Sequence, residues 1–242
     1  MSIEELCIKW NIENYTINDD GSIDVDGDID ISEDIFTNIS NDVPLKFNKV
    51  TGDFYCQGNL LTSLEGSPKS LGGSFYCSDN ELTDLKGSPE YVDGSFYCQD
   101  NNKLTTLEGG PESVDGDFNC SSNYLTTLEG SPKSLGGGFY CSDNGLTSLK
   151  GCPNSIGGHF DVSHNNLKNI DFIPDSLNGL FKCSGNLITN IFVSVNIDFL
   201  RAFKTFKVLN DGVVNLKRLK YVMGIFDIFV DLEEIKKHYT IK

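Results

Sequence analysis

The sequence predicts a mainly β solenoid of about seven 21-residue coils, with short capping segments at both ends. Three observations favour this fold class. A unit of the form G-x-F-x-C recurs through the middle of the chain. Within each unit apolar and polar residues alternate, as they do along strands. Glycine and proline follow each unit and break any long helix.

The repeat is marked by phenylalanines spaced 21 residues apart, with one step of 22 where Lys103 looks like an insertion. They are Phe54, Phe75, Phe96, Phe118, Phe139, Phe160 and Phe181. A fixed period of this length is typical of solenoids, in which each coil is stabilised by its neighbours. We therefore assign residues 52–191 to the repeat solenoid, residues 1–51 to an N-terminal cap and residues 192–242 to a mostly helical C-terminal cap.

Each repeat position has a predicted role. Phe and Cys point inward from a short parallel strand, and two later leucines fill the interior. The return side should be extended or turn-like, because glycine and proline follow those leucines. A buried asparagine lies where the coil leaves the strand, and its amide can satisfy backbone groups of its own and neighbouring coils. These asparagines are Asn59, Asn80, Asn101, Asn123, Asn144, Asn165 and Asn186.

Six cysteines share one repeat position. They are Cys56, Cys77, Cys98, Cys120, Cys141 and Cys183. Val162 takes this position in the remaining coil, so the position requires a small apolar side chain, and a buried free cysteine behaves as one. The paired C-x₂₋₄-C spacing of zinc sites is absent. We therefore interpret these cysteines as core residues, with disulfides or a metal site as the less favoured alternatives.

The N-terminal cap begins with Ser2-x-x-Glu5, the pattern of a helix capping box. The stretch YTINDDGSIDVDGDIDI then reads as a β-hairpin that turns at Asp20-Gly21. One face of it carries Ile23, Val25, Ile29 and Ile31, and the other carries Asp24, Asp26, Asp28 and Asp30. Calcium binding by these carboxylates is one interpretation, but the EF-hand spacing and the glycine-rich RTX nonapeptide are both absent. A solvated acidic strand that protects a sheet edge is the favoured one.

The C-terminal cap leaves the repeat register after Asn186. Its first predicted helix carries Phe199, Leu200, Phe203 and Phe206 at helical spacing. Leu216 to Phe226 predicts a second helix, Asn210-Asp211-Gly212 a turn, and Asp231-x-x-Glu234 the start of a third helix. Two interpretations of the basic residues in this segment are open. They form a solvated face, which we favour, or they contact a ligand, either nucleic acid or an acidic partner.

The repeat resembles a known family. F-x-C-x-x-N-x-L is similar to the L-x-L-x-x-N-x-L core of leucine-rich repeats, with Phe and Cys replacing two leucines. L-T-x-L-x-G-x-P resembles repeats of bacterial secreted effectors, and G-x-F-x-C resembles uncharacterised phage and giant-virus repeat proteins. The resemblance covers residues 52–191, with a weaker lead-in from Gly27, and implies a viral protein that acts on a host or host-defence protein. The ubiquitin-ligase activity of some effectors is not implied, because no cysteine follows Cys183.

Composition restricts the partners and the compartment. The formal net charge is −16 at pH 7, so direct nucleic-acid binding is disfavoured. The start MSIEELCIKWN lacks the features of a signal peptide, and no apolar run approaches the ~20 residues of a membrane span. We therefore expect a cytoplasmic protein, in the host cytoplasm if it is viral, that is neither secreted nor bound to membranes.

The candidate functional surface is the exposed strand position between Phe and Cys, since no P-loop, dinucleotide fingerprint, H-E-x-x-H or G-x-S-x-G motif indicates an enzyme or a cofactor. Stacked coils would place these residues in one outward row, about 4.8 Å apart. The row contains Tyr55, Tyr76, Tyr97, Asn119, Tyr140, Asp161 and Lys182. The flanking rows contain Asp53, Ser74, Ser95 and Asp117 on one side, and Gln57, Ser78, Gln99 and Ser121 on the other.

An exposed tyrosine row is typical of protein interfaces, although stacked rings also stabilise neighbouring strands without any partner. The sequence therefore predicts a non-enzymatic scaffold that binds a protein partner. An acidic nucleic-acid mimic that blocks a DNA- or RNA-handling protein is an alternative, and a virion structural or assembly component is another. Neither the partner nor the oligomeric state follows from the residues.

Overall fold

The structure is a computed structural model that describes residues 1–32, 40–186, 194–195, 197–210, 213–226, 235–236 and 240–242. Its described part is a β-solenoid of about seven coils of roughly 21 residues, which confirms the predicted fold class. Each coil contributes one short strand to each of two parallel sheets. The coils therefore stack with equivalent residues directly above one another.

The first sheet contains the strand of every F-x-C unit, and we call it the tyrosine sheet. Its repeat strands pair in parallel with phenylalanine opposite phenylalanine, as in Phe75 with Phe96. A final strand pairs antiparallel with the last repeat strand. In spatial order the strands are Ile29–Asp30, Phe54–Tyr55, Phe75–Tyr76, Phe96–Tyr97, Phe118–Asn119, Phe139–Tyr140, Phe160–Asp161, Phe181–Lys182 and Ser194–Val195.

The return side of the coils forms a second sheet, which we call the return sheet. The sequence predicts only extended or turn-like chain there. Each coil has an outward residue followed by a buried aliphatic residue on this side, as in Ser70–Leu71. Because the coils are of nearly equal length, these pairs lie in register from coil to coil and form the sheet. Its strands are Tyr15–Ile17, Ile23–Val25, Phe47–Val50, Ser70–Leu71, Tyr91–Val92, Ser113–Val114, Ser134–Leu135, Ser155–Ile156 and Ser176–Leu177.

The core lies between the two sheets. The seven repeat phenylalanines are fully buried, and successive ring centroids lie between 5.2 and 5.6 Å apart. The six repeat cysteines and Val162 form a second fully buried row, with the cysteines as free thiols. Leucines such as Leu82 and Leu85 close the interior on the side of the turns.

The N-terminal cap joins the stack directly. The helix Ile3–Lys9 has the predicted capping box, in which Glu5 N–H donates to Ser2 Oγ at 3.2 Å. The predicted hairpin is present, but its second run is not one continuous strand. The chain turns at Gly27, so that Ile23–Val25 joins the return sheet and Ile29–Asp30 joins the tyrosine sheet. All four predicted apolar residues of this run are buried.

The C-terminal cap contains two of the predicted helices, Ile197–Thr205 and Leu216–Phe226. The first buries Phe199, Leu200 and Phe203.

Short strands complete the described chain: Leu209–Asn210, Val213–Val214 and Thr240–Ile241 form one sheet, and Ser40–Asn41 pairs with Leu60–Leu61. The predicted start of a third helix at residues 231–234, and residues 211–212 of the predicted turn, lie outside the described residues. Within the described chain, no helix has the length and apolar character needed to cross a membrane.

Candidate functional site

Beneath the candidate surface, a ladder of asparagine side chains joins successive coils. Asn80 Nδ2 donates to the carbonyl oxygens of Cys77, at 3.2 Å in its own coil, and of Cys56, at 3.0 Å in the coil before it. Asn80 Oδ1 accepts the N–H of Leu61 at 3.1 Å. Each such amide satisfies backbone groups that the turn leaves without a strand partner. The same donor pattern occurs at Asn59, Asn101, Asn123, Asn144, Asn165 and Asn186.

A second ladder runs along the position that precedes each phenylalanine. Asp53 Oδ1 accepts the N–H of Ser74 at 2.6 Å, and Ser74 Oγ accepts the N–H of Ser95 at 3.0 Å. Ser95 Oγ accepts the N–H of Asp117 at 2.9 Å, and Asp117 Oδ1 accepts that of Gly138 at 2.6 Å. The sequence assigned Asp53 and Asp117 to partner contact, but one oxygen of each carboxylate already holds the next coil. The preference of this position for aspartate and serine, which are both hydrogen-bond acceptors, was the signal for the ladder.

On the outer face of the tyrosine sheet, three tyrosines form a continuous ring stack. The ring centroids of Tyr55 and Tyr76 lie 4.6 Å apart and those of Tyr76 and Tyr97 lie 4.9 Å apart, with interplanar angles of 11° and 14°. All three side chains are half-buried, while the flanking phenylalanine and cysteine are fully buried. The tyrosines therefore point outward in one row. Tyr55 Oη donates to Asp53 Oδ2 at 2.9 Å, and this bond raises the pKa of Tyr55 to about 12.

The ring stack ends at Asn119. Asn119 Oδ1 accepts hydrogen bonds from Ser121, from N–H at 3.0 Å and from Oγ at 2.7 Å, so its side chain lies along its own strand. The ring of Tyr140 instead covers Gly138, where an added Cβ would lie 2.7 Å from Tyr140 Oη. Burial, followed by the charges of Asp117 and Asp161, raises the pKa of Tyr140. The row thus contains a stacked segment, an interruption and a separate aromatic ring.

The flanking row that follows the repeat cysteines contains the predicted contact residues Gln57 and Gln99. Both side chains are half-buried, and the buried Oε1 atom of each accepts no hydrogen bond from the part of the chain that the structure describes. Ser121 donates to Asn119. The row therefore places two acceptors, unpaired within the described chain, beside the tyrosine stack, and both of these oxygen atoms are buried from solvent.

The four aspartates of the N-terminal cap have protein donors. Asp24 Oδ1 accepts from Asn48 Nδ2 at 2.7 Å and from Asn18 Nδ2 at 3.2 Å, and these bonds lower the pKa of Asp24. The Oδ1 atoms of the other three accept from Thr51, Asp53 and Ser32. The described residues contain no group of three or more His, Cys, Asp or Glu side chains that could hold a metal ion.

Charged side chains on the turns pair from coil to coil. Lys86 Nζ lies 3.2 Å from Glu108 Oε1, Lys133 Nζ lies 2.8 Å from Glu112 Oε1, and Lys150 Nζ lies 2.7 Å from Glu129 Oε1. These groups are exposed, and each such pair contributes about 0–1 kcal/mol. The pairs compensate part of the acidic charge away from the tyrosine sheet.

Comparison of the chain with family models, with curated proteins and with solved structures finds no match. Its class is therefore defined by its own geometry. It is a two-sheet parallel β-solenoid with a stacked tyrosine row on one outer face.

Proposed function

We propose that this protein is a non-enzymatic interaction scaffold that binds a protein partner through the outer face of the tyrosine sheet. The observation that carries this proposal is the outward stack of Tyr55, Tyr76 and Tyr97. Tyrosine supplies a large apolar area together with a hydroxyl group, a combination that is enriched at interfaces. Because each ring is already held by its neighbour, little side-chain entropy remains to be lost when a partner binds.

The charge of this face indicates the chemistry of the partner. The row formed by the position that precedes each repeat phenylalanine carries Asp53 and Asp117, and Asp28 holds the equivalent position in the cap. The tyrosine row adds Asp30 and Asp161. Against these five carboxylates, the strands of the two rows contribute one lysine, Lys182. Complementary charge speeds association and selects partners, so the face favours a basic protein surface.

The finer assignment follows from the resemblance of the repeat. We infer a leucine-rich-repeat-like scaffold of viral origin that is present in the host cytoplasm and acts on a host or host-defence protein. The similarity of F-x-C-x-x-N-x-L to leucine-rich repeats supports the scaffold role, and the G-x-F-x-C form supports the viral origin. Fold alone does not define function, so the partner has to be identified directly.

Replacement of Tyr76 and Tyr97 by serine tests the proposal. The double variant should lose partner capture, measured by mass spectrometry of proteins retained from host lysate and then with the purified partner. It should remain folded, because each lost ring pair removes only about 1 kcal/mol. Tyr91→Ser is the matched control, since Tyr91 is exposed on the return sheet. Capture that persists in the double variant would exclude this face as the docking site.

The net charge of −16 favours a second candidate function, an acidic nucleic-acid mimic. Such a mimic should bind through charge alone. Its binding would be lost at high salt and would be unaffected by the two tyrosine replacements. The lysine–glutamate pairs on the turns favour the docking proposal, because they interrupt the continuous negative surface that a mimic requires.

A further inference from the structure

The interruption of the tyrosine row creates a defined gap, which we call the Asn119 gap. Its walls are Tyr97 and Tyr140, and Asn119 and Asp117 lie between them. Strand pairing places Asn119 opposite both Tyr97 and Tyr140, one coil away on each side. The two tyrosine backbones are therefore two rungs apart, about 9.6 Å. One face of the Tyr97 ring is covered by Tyr76, and the other faces the missing rung.

The gap has room for one planar group. In the intact part of the row, adjacent rings lie 4.6 and 4.9 Å apart. A flat group that replaces the missing ring would stack on Tyr97 at the same separation. Asn119 does not occupy this space, because its side chain is bonded to Ser121 along its own strand. The ring of Tyr140 lies over Gly138 of its own coil.

The gap also has an available carboxylate oxygen. In the first repeat coil, Asp53 Oδ1 holds the next coil, and Asp53 Oδ2 accepts the hydroxyl of Tyr55 at 2.9 Å. Asp117 Oδ1 holds the next coil in the same way. Its second oxygen, Oδ2, accepts no hydrogen bond from the described residues, because asparagine stands where the tyrosine would be. The carboxylate thus lies beside the gap with one oxygen free to accept a ligand donor.

We propose that the Asn119 gap binds the guanidinium group of an arginine side chain of the partner. This inference rests on the proposed docking function and names the chemistry that its central contact recognises. Guanidinium is planar, stacks on aromatic faces and donates hydrogen bonds to carboxylate, whereas an ammonium group is compact and strongly hydrated. The arginine comes from another molecule, because both arginines of this chain lie in the C-terminal cap, where Arg201 donates to Asp175 O and Arg218 donates to Lys207 O.

Two variants test the gap without disturbing the coils. Asn119→Tyr supplies the missing ring, which the same row position already accepts in four coils. Its hydroxyl can donate to Asp117 as Tyr55 donates to Asp53. Asp117→Ser removes the charge but keeps an oxygen for the N–H of Gly138, since Ser74 and Ser95 hold their next coils through Oγ. Asp84→Ser is the matched control, because it removes a carboxylate on the turns, away from the tyrosine sheet, where Ser63 and Ser148 make the same bond to the backbone in other coils.

The probe is the peptide acetyl-Gly-Arg-Gly-amide, titrated into the whole protein and followed by the NMR signals of the Asn119 amide and of the Tyr97 and Tyr140 rings. Peptides with lysine or citrulline in place of arginine are the comparisons, and citrulline keeps the planar shape without the charge. We expect saturable shifts with arginine and at least fivefold weaker binding with either replacement. Asn119→Tyr and Asp117→Ser should weaken arginine binding at least fivefold, and Asp84→Ser should leave it unchanged.

Two results would overturn the inference: equal binding of the citrulline peptide, or unchanged arginine binding by folded Asn119→Tyr and Asp117→Ser proteins. Failure of the docking proposal is recognised separately. If Tyr76 and Tyr97 are needed for capture of a partner while both gap variants capture it normally, docking stands and the arginine site is wrong. If the arginine site is confirmed but the tyrosine replacements leave capture intact, the docking proposal is wrong instead.

Discussion

Gly130 illustrates at the scale of one residue how closely the coils approach. It lies in the turn after the second interior leucine, with φ at +91°. A Cβ atom there would lie 2.6 Å from the carbonyl carbon and oxygen of Leu107 in the coil before it. Glycine is therefore required both for its backbone conformation and for the absence of a side chain.

Gly130→Ala should destabilise the protein by about 3 kcal/mol, because alanine is strained at this φ and its methyl group overlaps the neighbouring backbone. Gly224→Ala is the matched control. Gly224 lies in the helix Leu216–Phe226, and a Cβ there meets nothing within 4 Å. Alanine should stabilise that helix by about 0.5–1 kcal/mol. Urea unfolding of both variants measures the two effects, and equal stabilities would contradict this account of the turn.

At the scale of an element, the turn after Asn101 shows how the ladder accommodates a longer coil. In regular coils, the ladder asparagine accepts through its Oδ1 the N–H of a leucine in the coil before it. This leucine lies two residues after that coil's own ladder asparagine. Asn144, for example, accepts from Leu125 at 2.9 Å. Lys103 moves Leu104 one place further along. Asn123 Oδ1 accepts instead from the N–H of Asn101 at 2.8 Å. The extra residue is absorbed in the turn, and both strands keep their register.

Deletion of Lys103 should leave the protein folded, with a stability within about 1 kcal/mol of the original. Leu104 would then take the regular position and donate to Asn123, while the exposed pair between Lys103 and Glu81 is lost. Deletion of Tyr124, at the corresponding turn of a regular coil, is the control. It should destabilise strongly, because it draws the buried Leu125 out of register. Thermal unfolding compares the stabilities of the two deletion variants. An equal loss of stability in both would contradict the assignment of Lys103 as an insertion.

The period of the sequence was sufficient to predict the F-x-C strands, the outward tyrosines and the number of coils, because one residue type at a fixed interval can occupy only one environment in a stack. The return sheet was missed because its two-residue strands are too short to show alternation. The Asn119 gap was missed because it depends on side-chain orientation: Asn119 bonds to Ser121, and the ring of Tyr140 covers Gly138. Spacing along the chain does not contain that information.

At the scale of the whole molecule, the row of buried thiols runs through the entire stack and links its stability to pH. Burial raises the pKa of the thiols of Cys56, Cys77, Cys98, Cys120 and Cys183 above the usual value of 9.0. The folded state therefore holds these protons more tightly than the unfolded chain does. Their contribution to the free energy of unfolding is complete below pH 9.0 and decreases as the pH rises above it.

The protein should consequently be less stable at about pH 9.5 than at about pH 7.5. Once the pH exceeds the pKa of a thiol in the unfolded chain, each buried thiol lowers the free energy of unfolding by up to about 1.4 kcal/mol per pH unit. Replacing Cys77 and Cys120 by valine should reduce this fall by about 1–2 kcal/mol. Each new valine would lie between two cysteines, as Val162 lies between Cys141 and Cys183, so the stack should be preserved. Urea unfolding in the presence of a reductant at both pH values measures the difference. An identical pH dependence in the variant would show that the thiols do not carry the effect.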